Sequence, residues 1–163
     1  MNVEGPAALR LRAARPQEAA ALTALALRSK AYWGYDEDFM AACRGELTLH
    51  EETVAAHRTT VAEEADGGRV LGFVTLEGEP PLGAVGMLFV SPDAMGRGAG
   101  RLLYGHAVRT AAGLGFTRLT IDADPNAEPF YRAMGAVTVS RVPSGSIPGR
   151  TLPLMSVDVP APA

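Results

Sequence analysis

Three glycines at alternate positions mark the segment of the chain that carries the most chemical information. Gly96, Gly98 and Gly100 follow an almost wholly apolar run, residues 85–90, and lead into an amphipathic stretch that ends near Ala112. Glycine lets the backbone turn so that several N–H groups point the same way, and a helix N-terminus adds donors of its own. The pattern therefore predicts an anion-binding turn between a buried strand and a helix, suited above all to phosphate groups.

Other phosphate-binding motifs do not fit this segment. It contains no Gly-Lys-Ser/Thr, and its glycines do not follow G-x-G-x-x-G. A chain of 163 residues is also too short for a dinucleotide fold together with a substrate domain. A tight strand-to-helix connection that binds no ligand is the alternative for the turn taken alone.

A second motif follows the turn, and the two motifs together resemble those of a known family. It runs from Asn126 through Phe130 and Tyr131 to Gly135. Together with the glycine turn and the Val-Ser-Pro of residues 90–92, it resembles the acetyl-CoA signatures of the GNAT-type N-acetyltransferases, in the same order and spacing. The resemblance covers residues 9–159 and is looser over the first sixty residues.

The resemblance implies where acetyl-CoA would bind. The strand ending at Phe89 and Val90 would offer backbone groups to the pantetheine arm, and Asn126 would contact that arm. The family usually has Gln or Arg at the position of Met95, but its backbone N–H does the binding, so we expect the turn to form. The phosphate-binding turn would comprise Met95, Gly96, Arg97, Gly98, Ala99, Gly100 and Arg101.

The resemblance also bears on catalysis. Tyr131 would lie near the thioester sulfur and protonate the departing thiolate. Many members carry an acidic general base on the fourth strand, whereas residues 83–87 here are Gly-Ala-Val-Gly-Met. Asp122, at the end of the predicted fifth strand, is predicted to act instead, directly or through water, with an arginine ion pair as its alternative role. Glu77 and Glu79 are further candidates, with simple solvation as the alternative.

Aromatic residues between the first two predicted helices indicate an acceptor pocket. Trp33 and Tyr35 are predicted to line one wall and to suit an amine with an apolar body, with a local hydrophobic plug as the alternative. Arg150 ends a proline-stiffened loop, residues 143–150, and is predicted to hold a substrate carboxylate. A surface ion pair or a dimer contact is the alternative for Arg150.

Positioning these residues requires a sheet covered by helices. The predicted fold class is α/β (α+β): one GNAT-like domain, residues 1–163 with its core at 9–159, and a mixed, mostly antiparallel sheet of six to seven strands. A strand–helix–strand unit predicts a central parallel pair, and helices are expected on both faces. Asp124 and Pro125 predict an N-cap and the first residue of a helix. Predicted strands are 9–13, 59–64, 69–77, 85–90, 118–122, 136–142 and 152–159, and early helices are 16–30 and 36–44, the latter ended by Gly45.

The composition of the chain excludes several classes of protein. Eighteen acidic and fifteen basic side chains leave a net charge of −3, which argues against a general nucleic-acid binder. One cysteine, Cys43, excludes an internal disulfide framework, and the three histidines share no face with carboxylates, so no metal is predicted. The chain shows no signal peptide and no membrane-spanning run, so a cytoplasmic location is expected.

Together with these patterns, the resemblance to the GNAT family implies an acetyl-CoA-dependent N-acetyltransferase. It would acetylate the primary amine of a small molecule by direct attack in a ternary complex, and a backbone N–H near Val90 would donate a hydrogen bond to the oxyanion. A homodimer is one candidate assembly. Two alternatives stay open: a non-catalytic acyl-CoA-binding sensor, motivated by the missing strand carboxylate, and a protein N-terminal acetyltransferase with an open groove.

Overall fold

The computed structural model describes residues 8–162 of the chain. Its strands form one mixed sheet in which the fourth and fifth strands along the chain are parallel neighbours and the other described pairs are antiparallel. The strands are β1 (Leu9–Ala13), β2 (Thr60–Glu64), β3 (Val70–Glu79), β4 (Leu82–Val90), β5 (Arg118–Asp122), β6 (Val137–Pro143) and β7 (Thr151–Asp158). Their order in the sheet is β1-β2-β3-β4-β5-β7-β6.

Helices cover both faces of this sheet. On one face, Leu22 and Leu25 of the first helix and Cys43 of the second pack with Phe73. On the other face, the helix that follows the glycine turn buries residues such as Leu103 in a second apolar cluster. The helices are α1 (Ala19–Ala31), α2 (Glu37–Leu47), α3 (Glu51–Val54), α4 (Ala99–Leu114) and α5 (Glu128–Ala133). The predicted mixed sheet with helices on both faces is confirmed.

The parallel pair opens in the middle of the sheet. β4 pairs with β5 only from Leu82 to Ala84, whereas its pairing with β3 continues to Val90. Residues 85–90 therefore have a strand neighbour on one side only. The gap lies at the carboxyl ends of two parallel strands, which is where open α/β sheets bind their ligands.

The crossover helix α4 has glycines at both ends. Gly98 is its N-cap with φ of +84°, and Gly115 is its C-cap with φ of +94°. Both angles lie in the left-handed region, which glycine adopts without the steric cost that other residues meet. These two positions fix where the helix starts and stops, and so they place the helix N-terminus beside the gap between β4 and β5.

Two helix boundaries differ from the predictions. α5 begins at Glu128 with Ala127 as its N-cap, so the prediction that Asp124 caps it is wrong. Asp124 instead forms a turn before the helix, because its carboxylate accepts the N–H of Asn126 at 2.8 Å. α2 continues past Gly45 to the buried Leu47, since packing outweighs the weak helix propensity of one glycine.

In the part of the chain that the structure describes, no helix is both long and apolar enough to cross a membrane.

Candidate active site

A cavity of about 580 Å³ lies where β4 and β5 part. Residues 86–90 of β4 form one side, and the segment after β5, with Asp124 and Asn126, forms the other. Trp33 and Leu47 close the cavity from the α1 and α2 side of the sheet. Its volume is in the range of sites that enclose a small-molecule ligand.

The glycine turn lies at one end of this cavity. Gly96 and Gly98 have φ of +86° and +84°, and the space that a Cβ atom would take at either position is open. Leu102 donates to the carbonyl of Gly98 at 3.0 Å, so the N–H groups of residues 99–101 have no acceptor within the helix. Free N–H donors at the positive end of a 16-residue helix fit an anionic phosphate group.

The two arginines of the turn have different surroundings. Arg97 donates to Glu64 at 3.0 Å, and its side chain is 23% exposed. Arg101 is exposed and forms no ion pair with another residue in the range 8–162. A phosphate could therefore contact Arg101 without displacing a carboxylate, whereas Arg97 would have to be shared with Glu64.

The structure brings most of the predicted site residues together, and their roles stay predictions. Five residues of the turn do not line the cavity: Gly96, Arg97, Gly98, Ala99 and Arg101. Tyr35 and Arg150 lie behind the wall, in contact with Asp124. The predicted residues that line the cavity are Trp33, Phe89, Val90, Met95, Gly100, Asp122, Asn126 and Tyr131.

A hydrogen-bonded cluster around Asp124 holds three segments together beside the cavity. The Asp124 carboxylate accepts from Lys30 at 3.0 Å and from the Tyr35 hydroxyl at 2.9 Å. Asn126 and Arg150 both donate to the oxygen of Tyr35, at 3.0 and 2.8 Å. The cluster therefore ties the end of α1 to the β5–α5 segment and to the β6–β7 loop.

The charges of this cluster fix the protonation of its members. Burial acts to raise the pKa of Asp124, but the N–H of Asn126 and the ion pair with Lys30 outweigh it and lower that pKa. Burial, followed by the hydrogen bond to Asp124, raises the pKa of Tyr35. Asp124 is thus ionised, and its carboxylate is hydrogen-bonded to Lys30 and Tyr35. Arg150 would have to give up its contacts with Tyr35 and Asp124 to bind a substrate carboxylate.

Tyr131 is buried on α5 but lines the cavity. Its ring packs against Phe130 and Tyr104, with ring centroids 5.3 and 6.0 Å apart. Burial is the main cause that raises the pKa of the Tyr131 hydroxyl, so the hydroxyl keeps its proton at neutral pH. A protonated phenol facing the cavity is what a proton donor to a leaving group requires.

Asp122 and Glu77 also line the cavity, and neither forms an ion pair with another residue in the range 8–162. Asp122 is exposed at the end of β5, and the arginine ion pair considered for it is not formed there. Glu77 extends from β3 over β4, where a Cβ atom at Gly86 would overlap its carboxylate. Glu79, by contrast, is 87% exposed and does not line the cavity.

Two charged residues of this site, Lys30 and Glu46, have no role in the predictions from the sequence. Lys30 is the only lysine among fifteen basic residues, and that isolation was the available signal. Glu46 lines the cavity from the last turn of α2 and reaches Gly145 of the β6–β7 loop, where a Cβ atom would overlap it. No sequence pattern marks Glu46, because its place depends on how α2 packs against a loop a hundred residues away.

Comparison with known proteins agrees with this fold. A model of the acetyltransferase (GNAT) family matches residues 23–136, which is more than half of the chain. The chain therefore belongs to the GNAT acetyltransferase family, and acyl transfer is the chemistry of that family. No curated protein sequence matches the chain.

Several solved structures share the fold over almost the whole chain. A GCN5-related N-acetyltransferase from Rhodopseudomonas palustris is 29% identical with a TM-score of 0.72, and the match covers 97% of this chain and 99% of that one. PaiA N-acetyltransferase from Thermoplasma acidophilum, in complex with coenzyme A, is 15% identical with a TM-score of 0.75 over 93% and 99%. The yncA protein from Salmonella typhimurium, with its cofactor acetyl-CoA, is 19% identical with a TM-score of 0.66 over 96% of both chains.

Proposed function

We propose that this protein transfers the acetyl group of acetyl-CoA to the primary amine of a small molecule. The observation that carries the proposal is one cavity with free N–H donors at one end and carboxylates without basic partners at the other. The first end suits a phosphate-bearing donor, and the second suits a cationic acceptor. The complexes of the Thermoplasma protein with coenzyme A and of the Salmonella protein with acetyl-CoA support the choice of donor.

The residues present fit the donor. N–H groups of the glycine turn would hold the pyrophosphate, with Arg101 adding a positive charge nearby. Residues 85–90 have no strand neighbour on the β5 side, so their backbone could pair with the amides of a pantetheine arm. Asn126, on the opposite side of the same gap, offers a further polar contact.

The charge of the cavity supports an amine as the acceptor. Glu46, Glu77 and Asp122 line it, and none of them forms an ion pair within residues 8–162. Lys30, a basic residue of the lining, is already paired with Asp124 at 3.0 Å. An excess of negative charge in a concave site attracts cations, so an ammonium group would be favoured. Trp33 adds an apolar surface for the body of the amine.

Acetyl transfer would proceed by direct attack of the amine on the thioester. The ammonium group must first lose a proton, because only the free amine is a nucleophile. A backbone N–H near Val90 would stabilise the oxyanion, and the Tyr131 hydroxyl would protonate the departing thiolate. Cys43 is 2% exposed and packs in the cluster beneath α1 and α2, so it is not positioned to carry an acyl group.

A panel of amines tests the proposal. The purified protein would be mixed with acetyl-CoA and alkylamines, polyamines, amino acids and short peptides, and free thiol would be measured over time. Thiol release with at least one small amine, with the N-acetyl product identified by mass spectrometry, is the expected result. Coenzyme A binding without turnover of any amine would instead favour a sensor, and turnover of peptide N-termini alone would favour an N-terminal acetyltransferase.

A further inference from the structure

We infer that Glu77 of β3 is the general base of this acetyltransferase. The inference rests on the proposed function and adds to it the residue that deprotonates the acceptor. β4 carries no carboxylate of its own from Gly83 to Met87. Glu77 of the neighbouring strand β3 places a carboxylate beside this segment of β4, next to Gly86.

The first observation is the position of the Glu77 side chain. In the β3–β4 ladder, Glu77 is the direct partner of Ala84, at the point where β4 leaves β5. Gly86 lies two residues further along and therefore on the same face of β4 as Ala84. A Cβ atom at Gly86 would overlap the Glu77 carboxylate, so the absence of a side chain there is what gives the carboxylate its place in the cavity.

The second observation is that Glu77 is oriented. The hydroxyl of Thr75 donates to Glu77 Oε2 at 2.7 Å and accepts the N–H of Met87 at 2.9 Å. Thr75 is buried and lies in the register shift between Val74 and Leu76, so its side chain takes the place of a main-chain acceptor for β4. One oxygen of Glu77 is held in this way, and Oε1 has no hydrogen-bond partner among residues 8–162.

The third observation is how Glu77 compares with the nearby aspartates. Asp124 is engaged by Lys30 and Tyr35 and is not available to take a proton from a substrate. Asp122 lines the cavity, but no hydrogen bond within residues 8–162 orients its side chain. Glu77 alone of these three carboxylates is both oriented by a hydrogen bond and without a cation beside it in that range.

The proton balance of the step is as follows. Glu77, directly or through one water molecule, takes one proton from the ammonium group and later releases it to solvent. The nitrogen lone pair forms the C–N bond, the carbonyl electron pair moves to oxygen and returns, and the C–S bond breaks. The thiolate takes the proton of Tyr131, and the second proton lost by nitrogen restores the Tyr131 hydroxyl.

The test compares Glu77→Gln with Glu79→Gln, a matched change on the same strand at an exposed position outside the cavity. On an alkylamine that the wild type accepts, Glu77→Gln should lower kcat at neutral pH by about 10²-fold or more, and Glu79→Gln should leave it unchanged. The deficit should shrink as pH rises towards the pKa of the amine, because solvent then supplies the free amine. A purely structural role would not give that pH dependence.

Gly86→Ala supplies a second variant. Its new Cβ atom must displace the Glu77 carboxylate, so kcat should fall in the wild-type background but change little further in Glu77→Gln. Calorimetry adds a readout that does not depend on turnover. With coenzyme A bound, Glu77→Gln should bind the accepted amine about tenfold more weakly, since a charged hydrogen bond is lost, while its affinity for coenzyme A stays unchanged.

The outcomes separate this inference from the proposed function. A wild type that releases no thiol with any amine overturns both. A wild type that turns over an amine, with a folded Glu77→Gln variant that keeps full kcat across the pH range, overturns the role of Glu77 alone. If Asp122→Asn then shows the pH-dependent loss, the base is Asp122.

Discussion

The hydroxyl of Tyr131 combines access to the cavity with a pKa raised mainly by burial. A proton donor to a thiolate must carry its proton and reach the sulfur; the raised pKa ensures that the proton is present, although it also makes the hydroxyl a weaker acid. We expect Tyr131→Phe to lower kcat by about 10- to 10⁴-fold, because the variant keeps the ring and loses only the proton. Steady-state kinetics on an accepted amine, with calorimetry of coenzyme A, would measure the effect.

Tyr104→Phe is the natural control for that variant. Tyr104 packs 6.0 Å from Tyr131, and its hydroxyl is buried without a hydrogen-bond partner among the described residues. Removal of the Tyr104 hydroxyl should leave kcat near the wild-type value. Full kcat in Tyr131→Phe would show that another group, or water, protonates the thiolate.

The cluster around Asp124 should make the stability of the protein depend on pH. The pKa of Asp124 is lowered in the folded state, so its contribution is present at neutral pH and is lost as pH falls through the acidic range. We expect Asp124→Asn to reduce the free energy of unfolding by about 1–3 kcal/mol at pH 7, since hydrogen bonds to charged groups are lost. Denaturant unfolding at pH 7 and at successively lower pH would show whether the difference shrinks.

Asp122→Asn is the matched change two residues away. Asp122 forms no ion pair within residues 8–162, so this variant should alter the free energy of unfolding by less than about 0.5 kcal/mol. An equal loss in both variants would mean that the cluster around Asp124 does not account for the effect. A loss in Asp124→Asn that stays constant with pH would contradict its electrostatic origin.

The sequence singles out residues that belong to a motif, but it does not rank residues whose position depends on a contact between strands. Tyr131 and Asn126 belong to a motif, and both line the cavity. Glu77 was one of several carboxylates near a strand end. Its relation to Gly86 depends on the register of β3 against β4 and on a shift in that register, and neither is visible in a linear pattern.

The strand–turn–helix unit is the element on which the proposed binding of the donor depends. Gly98 has φ of +84°, and an L-residue with a branched side chain is strained there by about 1–2 kcal/mol. We expect Gly98→Val to weaken coenzyme A binding by about tenfold or more, because the side chain would enter the space left for the phosphates. Calorimetry on the folded variant would measure the change.

Gly113→Ala offers a control within the same helix. Gly113 lies near the other end of α4, is exposed, and has open space where a Cβ atom would stand. This variant should bind coenzyme A like the wild type and be slightly more stable, since alanine favours a helix. Unchanged binding by a folded Gly98→Val would remove the glycine turn from the donor site.

The elements themselves were largely predictable, because their signals are local. β5 (Arg118–Asp122) starts and ends at the residues predicted for it, and Gly115 ends α4 with a positive φ. The start of α5 was not predictable in the same way. Asp124 is drawn into contacts with Lys30 and Tyr35, which lie about ninety residues earlier in the chain, and the helix begins only after that turn.

For the molecule as a whole, donor binding should appear as thermal stability. A ligand that binds only the folded state at a hundred times its Kd adds about 2.7 kcal/mol to the free energy of unfolding. For a chain of 163 residues this corresponds to a rise in Tm of about 5–10 °C. Differential scanning fluorimetry with coenzyme A would measure it, and adenosine at the same concentration is the control without phosphates. No shift with saturating coenzyme A would contradict the assignment of the cavity.

Because β4 parts from β5, the protein has an unpaired strand edge in the middle of its sheet. In most proteins such edges occur only at the rim of a sheet. An unpaired edge can pair with a strand of another molecule, and proteins usually prevent this with charged residues, proline or a covering element. Here residues of α1 and of the segment after β5 line the same cavity as residues 86–90 and so partly cover this edge. A pantetheine arm, which has two amide groups and few substituents, needs less room along this edge than a peptide strand with a side chain on every residue. The same gap would thus admit a pantetheine and protect the protein from pairing with its own unfolded copies.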